Sequence, residues 1–75
     1  MAKFASEGAR LLALAVQDAG SQSAVATRCG FSKVYVHQYL GGRKPGIENA
    51  LVMKRRLKIP VEAWIRPARV EEVAA

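Results

Sequence analysis

Apolar residues recur along this chain at three- and four-residue intervals, and short polar or glycine-containing stretches separate the periodic segments. Such spacing marks helices that bury one face. Leu11, Leu12, Ala15 and Val16 form the first stripe and predict a helix over residues 7–18. Ser6 is placed to cap it, Glu7 suits the positive end of its dipole, and Gly20 ends it. A short second helix is predicted over residues 22–28, with Ser21 as its N-cap and Gly30 as punctuation. Residues 33–40 form the third, capped by Ser32 and stopped by Gly41-Gly42, a pair able to supply a left-handed position. Residues 47–57 form the fourth, with Ile47, Ala50, Leu51, Met53 and Leu57 expected on its inner face. Pro60 pre-sets the backbone for a fifth helix over residues 61–65, whose Trp64 and Ile65 are expected to face the core. Val and Ile occur singly, not in strand-like runs, so the expected class is all-α with five helices.

Seventy-five residues make one domain, close to the lower limit of what folds alone. The reading divides the chain into a helical domain over 1–65 and a tail over 66–75. No apolar run approaches a membrane span, and residues 11–16 are too short for a signal-peptide core, so a cytoplasmic protein is expected. The single Cys29 cannot form an intramolecular disulfide and sits where a small core residue is expected.

Charge changes the picture through its distribution. The net charge is +6. Arg28, Lys33, Arg43, Lys44, Lys54, Arg55 and Arg56 lie between positions 28 and 56, opposed there by Glu48 alone. A basic centre of this kind suits a polyanion such as nucleic acid. The run Lys54-Arg55-Arg56 reads as a solvated helix face, while the tail carries Glu71 and Glu72.

Residues 22–40 read as one unit of two helices meeting at a sharp turn, and that geometry has specific demands. The close crossing needs a small residue, Ala26, and the turn needs a residue tolerant of positive φ, Gly30. Val25, Cys29, Phe31, Val36 and Tyr39 fall on the inner faces, and Lys33, His37 and Gln38 on the outer face of the second helix. The stretch S-Q-S-A-V-A-T-R-C-G-F-S-K-V-Y-V-H-Q-Y-L-G-G-R-K-P resembles the helix-turn-helix of the phage Cro and repressor family. The family pattern is S/T-Q-x-x-L-A-x-x-x-G-x-S, an Ile or Val four residues on, and a G-[KR]-x-P-like exit. The segment I-E-N-A-L-V-M-K-R-R-L-K-I-P-V-E-A-W is similar to the family's fourth and fifth helices, so the likeness spans residues 7–65. Val25 replaces a usual Leu, and Leu40 a frequent acidic residue. Lys54 takes a usually small position, which predicts disturbed packing of the fourth helix.

The resemblance implies a lambda-repressor-like DNA-binding domain and a sequence-specific transcriptional regulator, a repressor from a phage or mobile element. In such proteins the second helix of the motif enters the major groove of double-stranded DNA. Lys33, Val34 and Gln38 match base-facing positions, with His37 and Tyr35 as further candidates. Lys33 suits guanine O6/N7, Gln38 adenine, and Val34 a thymine methyl. Gln22 and Ser32 match phosphate-contact positions, and Arg43 and Lys44 are expected to pin neighbouring phosphates. Tyr35 stays open between a phosphate contact and simple surface cover. A homodimer is expected, because one small module reads few base pairs. The fifth helix, Trp64, Ile65 and the tail are its candidate surface, a monomer that pairs only on DNA being the alternative. The competing function is an antitoxin-type module that binds DNA and also a protein partner through the tail. Binding by charge alone is a third reading.

Catalysis fails on inventory: His37 and Asp18 are the chain's one His and one Asp and lie on different helices, and the carboxylates are dispersed. Gly41-Gly42 follows a helix, so no phosphate-binding loop is indicated. No metal site and no cofactor is expected, since His37 has no second His or paired Cys beside it in sequence.

Overall fold

A computed structural model describes residues 4–68. Among these residues the structure is all-helical, its helices joined by short loops, and contains no strand. The elements are α1 (Glu7–Ala19), α2 (Gln22–Cys29), α3 (Lys33–Leu40), α4 (Ile47–Leu57) and a 3₁₀ stretch, η1 (Val61–Ile65). The first two helices each run one residue beyond the sequence expectation.

Caps set the boundaries. Ser6 Oγ accepts the Ala9 N–H at 3.1 Å, and Ser21 Oγ accepts the Ala24 N–H at 3.0 Å, so each relieves an orphan donor of a first turn. Gly20 closes α1 at φ 98°, where its N–H donates to the Val16 carbonyl. Ser32 takes the extended backbone of an N-cap but makes no side-chain capping bond.

The two helices at the centre of the chain end alike. Beyond α2, the Phe31 N–H donates to the Ala26 carbonyl at 2.9 Å and the Gly30 N–H to Thr27 at 3.3 Å. Beyond α3, the Arg43 N–H donates to Gln38 at 3.0 Å and the Gly42 N–H to Tyr39 at 3.2 Å. Both are Schellman closures, which require a left-handed residue just past the helix. Gly30 supplies it at φ 76° and Gly42 at φ 116°; of the Gly41-Gly42 pair, Gly41 stays right-handed at φ −78°.

One core joins all five elements. Leu12 of α1, Val25 and Ala26 of α2, Val36 and Tyr39 of α3, Met53 of α4, Ile59 and Trp64 are all buried. α1 packs on η1, α2 and α3, while α4 packs on η1 and α2. Phe31, Tyr35, Tyr39 and Trp64 form a chain of ring contacts at centroid separations of 6.1–6.4 Å, mostly edge-on. The Tyr39 hydroxyl accepts a hydrogen bond from Asn49 Nδ2 at 2.7 Å, fastening α3 to α4.

Three expected core residues face outward. Ile47 and Leu51 of α4 are 65% and 42% exposed, because Ala50, Met53 and Leu57 centre the inner stripe and a 100° step carries Leu51 well off it. Ile65 is 74% exposed. The tighter 3₁₀ winding aligns Val61 with Trp64 and turns Ile65 away. Lys54 is exposed, so it does not disturb the inner face of α4. Trp64 is buried within its own chain and offers no surface to a second copy. Ile65 of the candidate dimer surface stays open, and the tail with Val70 and Val73 lies outside the described residues except for residues 66–68.

Candidate nucleic-acid interface

Two buried residues orient α3. Val36 and Tyr39 are 1% and 2% exposed and hold its inner face in the core, with Leu40 half-buried beside them. Helical geometry then fixes the rest. Val34 and Gln38 stand at the centre of the outer face, Lys33 and His37 along one flank and Tyr35 along the other. All five are exposed, and Val34 is 61% exposed, a large apolar side chain with nothing over it. The five base-facing candidates thus share one open surface.

Among the described residues, the side chains of Lys33, His37 and Lys44 make no hydrogen bond or ion pair, and neither do those of Gln22 and Ser32. Gln22 is half-buried at the first position of α2, and Ser32 is exposed at the start of α3. Lys44 is exposed in the loop after α3.

Arg43 behaves differently from the other phosphate candidates. Its guanidinium donates to Gln38 Oε1 and lies over the Tyr35 ring, 5.7 Å from the centroid. Its backbone N–H donates to the carbonyl of the same Gln38. The Tyr35 ring in turn stacks on Tyr39 at 6.1 Å with 24° between planes. A cation over an aromatic face is held by the ring quadrupole, and guanidinium is the better shaped of the two basic groups for it. A buried tyrosine therefore supports an exposed one, which supports an arginine, which orients the glutamine at the centre of the face. The sequence pattern named these residues separately and missed the linkage. Its signal was the glycine pair, since a Schellman closure at Gly42 brings the residue after it back over the last turn of the helix.

Cys29 lies at the end of α2, buried and unpaired. Burial raises its thiol pKa above the ordinary range, partly offset by the positive charges of Arg28 and Arg56. A protonated, enclosed thiol is a packing residue and a poor nucleophile.

Among the described residues, no group of three or more His, Cys, Asp or Glu is arranged to hold a metal ion. None of the described helices is long and apolar enough to cross a membrane. In comparisons with known proteins, no family model, no curated protein and no solved structure matches the chain.

Proposed function

We propose that this protein is a sequence-specific DNA-binding transcriptional regulator, acting as a repressor, that reads the major groove with α3. The observation that carries the reading is the outer face of α3. It presents Lys33, Val34, His37 and Gln38 side by side to solvent, on a helix whose other face is locked in the core. A solvent-facing surface with one cation, one amide, one imidazole and one bare isopropyl group matches the variety of the major-groove edge, where donors, acceptors and thymine methyls alternate. α2, the turn at Gly30 and α3 serve as the helix-turn-helix in this reading, within a lambda-repressor-like domain.

The proposed division of labour follows the chemistry. Lys33 donates to guanine, Gln38 pairs with adenine, Val34 touches a thymine methyl, and His37 and Tyr35 line the groove's margins. Gln22, Ser32 and Lys44 engage phosphates, and Arg43 reaches a phosphate while steadying Gln38. The reading involves no catalytic step and no cofactor. It places the protein in the cytoplasm, on the nucleoid when DNA-bound. Two copies bind together, since one α3 covers too few base pairs for useful selectivity.

Selection from a random duplex library at near-physiological salt, followed by sequencing, tests this. Enrichment of a two-fold symmetric site, with half-sites about one helical turn apart, is the expected result. Failure to enrich any sequence, with binding that disappears at modest salt, would reduce the surface to non-specific charge.

A further inference from the structure

A groove of 720 Å³ runs along α1 on the side bounded by the C-terminal ends of α2 and α4. Leu11, Leu14 and Leu57 supply its apolar wall; Leu14 is 45% exposed and the other two are half-buried. Arg28, Arg56 and Lys58 stand around it, and among the described residues none of the three has an ion-pair partner. Asp18 is the groove's one carboxylate. An apolar wall with an unpaired cationic rim fits a short segment that carries both apolar and acidic residues.

The chain itself carries such a segment. Val70-Glu71-Glu72-Val73 begins two positions after the last described residue, Ala68, with Arg69 between. The reach is suitable. The Glu7 N–H donates to the Arg66 carbonyl at 2.9 Å, and Ala68 is buried, so the chain is held beside the first turn of α1 up to that point. From Glu7 to Leu14 the helix rises about 10 Å. Three or four residues beyond Ala68 can cover at most about 10–14 Å. Glu71 and Glu72 can therefore arrive level with the groove.

We propose that residues 70–73 dock in this groove of their own chain as a single turn, which puts Val70 and Val73 on one side, against Leu14 and Leu57, and leaves Glu71 and Glu72 toward Arg28, Arg56 and Lys58. The segment then covers the apolar wall and neutralises the basic rim on α2 and α4, leaving the α3 surface as the uncompensated cationic face.

The test is carried out on the full 75-residue chain, isotopically labelled, by NMR at low salt. Methyl–methyl cross-peaks from Val70 and Val73 to Leu14 and Leu57, unchanged on dilution, are the expected result. Glu71→Lys together with Glu72→Lys should abolish those cross-peaks and shift the Leu14 methyls, without changing the resonances of Val36 and Tyr39. Adding Arg56→Glu to that variant should restore them in part. Absence of the cross-peaks in the unmodified chain would overturn the proposal. So would cross-peaks that appear only between differently labelled copies, which would give the groove to a second molecule. Neither result bears on α3, so the DNA-reading proposal stands or falls separately.

Discussion

Arg43 holds Gln38 at both ends: its backbone N–H donates to the Gln38 carbonyl at 3.0 Å, and its guanidinium donates to the Gln38 side-chain oxygen. One residue thus fixes both the end of α3 and the direction of the amide at the centre of its outer face. Removing Arg43 should have two separable effects on DNA binding. Loss of a phosphate-neutralising charge weakens all sequences and lowers the salt slope by about 1. Release of Gln38 relaxes preference at its base pair as well. Arg43→Lys divides the two, because it keeps the charge but loses the forked donor and the flat contact on Tyr35. The expected outcome for Arg43→Lys is an unchanged salt slope with a weakened base preference, read from binding titrations on the selected site and its single-base variants.

Gln38→Ala removes the amide and leaves the cationic contacts in place. Preference at one base pair per half-site should fall, by about 1–3 kcal/mol of discrimination. Affinity for unrelated duplexes should stay nearly constant. The comparison of the two affinities on one variant checks this, and an equal loss on both kinds of duplex would remove Gln38 from the reading face.

Gly8 lies directly beneath the indole of Trp64, and a methyl group added there would overlap ring atoms Cδ2 and Cε3. Both partners are buried, so neither has free space to retreat into. Gly8→Ala gains helix propensity of roughly 1 kcal/mol but forces η1 off α1. Overpacking of this kind typically costs about 1–3 kcal/mol, so the net change should be destabilising despite the better helix former. Urea unfolding followed by Trp64 fluorescence reads both the midpoint and the displaced ring.

The features that could be read from the sequence are those that depend on near neighbours. Ser6 and Ser21 as caps, Gly30 at the turn and Ala26 at the crossing each follow from residues within one or two turns of chain. Which side of α4 lies inward does not, since Ile47 and Leu51 match the apolar spacing as well as Ala50 and Met53 do. Packing of α4 against η1 and α2 decides it. The Gly8–Trp64 contact spans most of the chain and leaves no local trace. On the candidate surface, the exposure of Lys33, Val34, His37 and Gln38 follows from the helical period once Val36 and Tyr39 are placed inside. The grip of Arg43 on Gln38 needed the backbone path through Gly42, which residue types alone do not specify.

The burial of Cys29 predicts a pH dependence of definite sign. Burial raises its folded pKa above that of the unfolded chain, with Arg28 and Arg56 opposing in part. The folded state therefore holds the thiol proton more tightly than the unfolded state does. This contribution is fully present below the unfolded thiol value, about 8.5, and is lost as pH rises through the folded pKa. Cys29→Ala should flatten that alkaline decline relative to the unmodified chain, at a stability cost of order 1 kcal/mol near neutrality. Thermal midpoints of the two proteins across the neutral to alkaline range measure the difference.

Lys58 caps α4 in the left-handed region, at φ 63°, the one non-glycine residue among those described with a positive φ. Its N–H donates to the Lys54 carbonyl at 3.1 Å, and the left-handed turn brings the next N–H, of Ile59, to the Met53 carbonyl at 3.4 Å, a bond that another φ at Lys58 would break. Side chains in this region cost about 1–2 kcal/mol, while glycine adopts it freely but loses more entropy on folding, about 0.5–1 kcal/mol. The balance favours glycine by about 0.5–1 kcal/mol. Lys58 is exposed and contributes a charge at a helix C-terminus, a smaller effect that salt screens. Lys58→Gly should therefore stabilise the protein, and more clearly at high salt than at low. Urea midpoints at two ionic strengths test both parts. A gain at neither would mean that the lysine chain itself contributes to the groove beside α1 as much as its backbone strain costs.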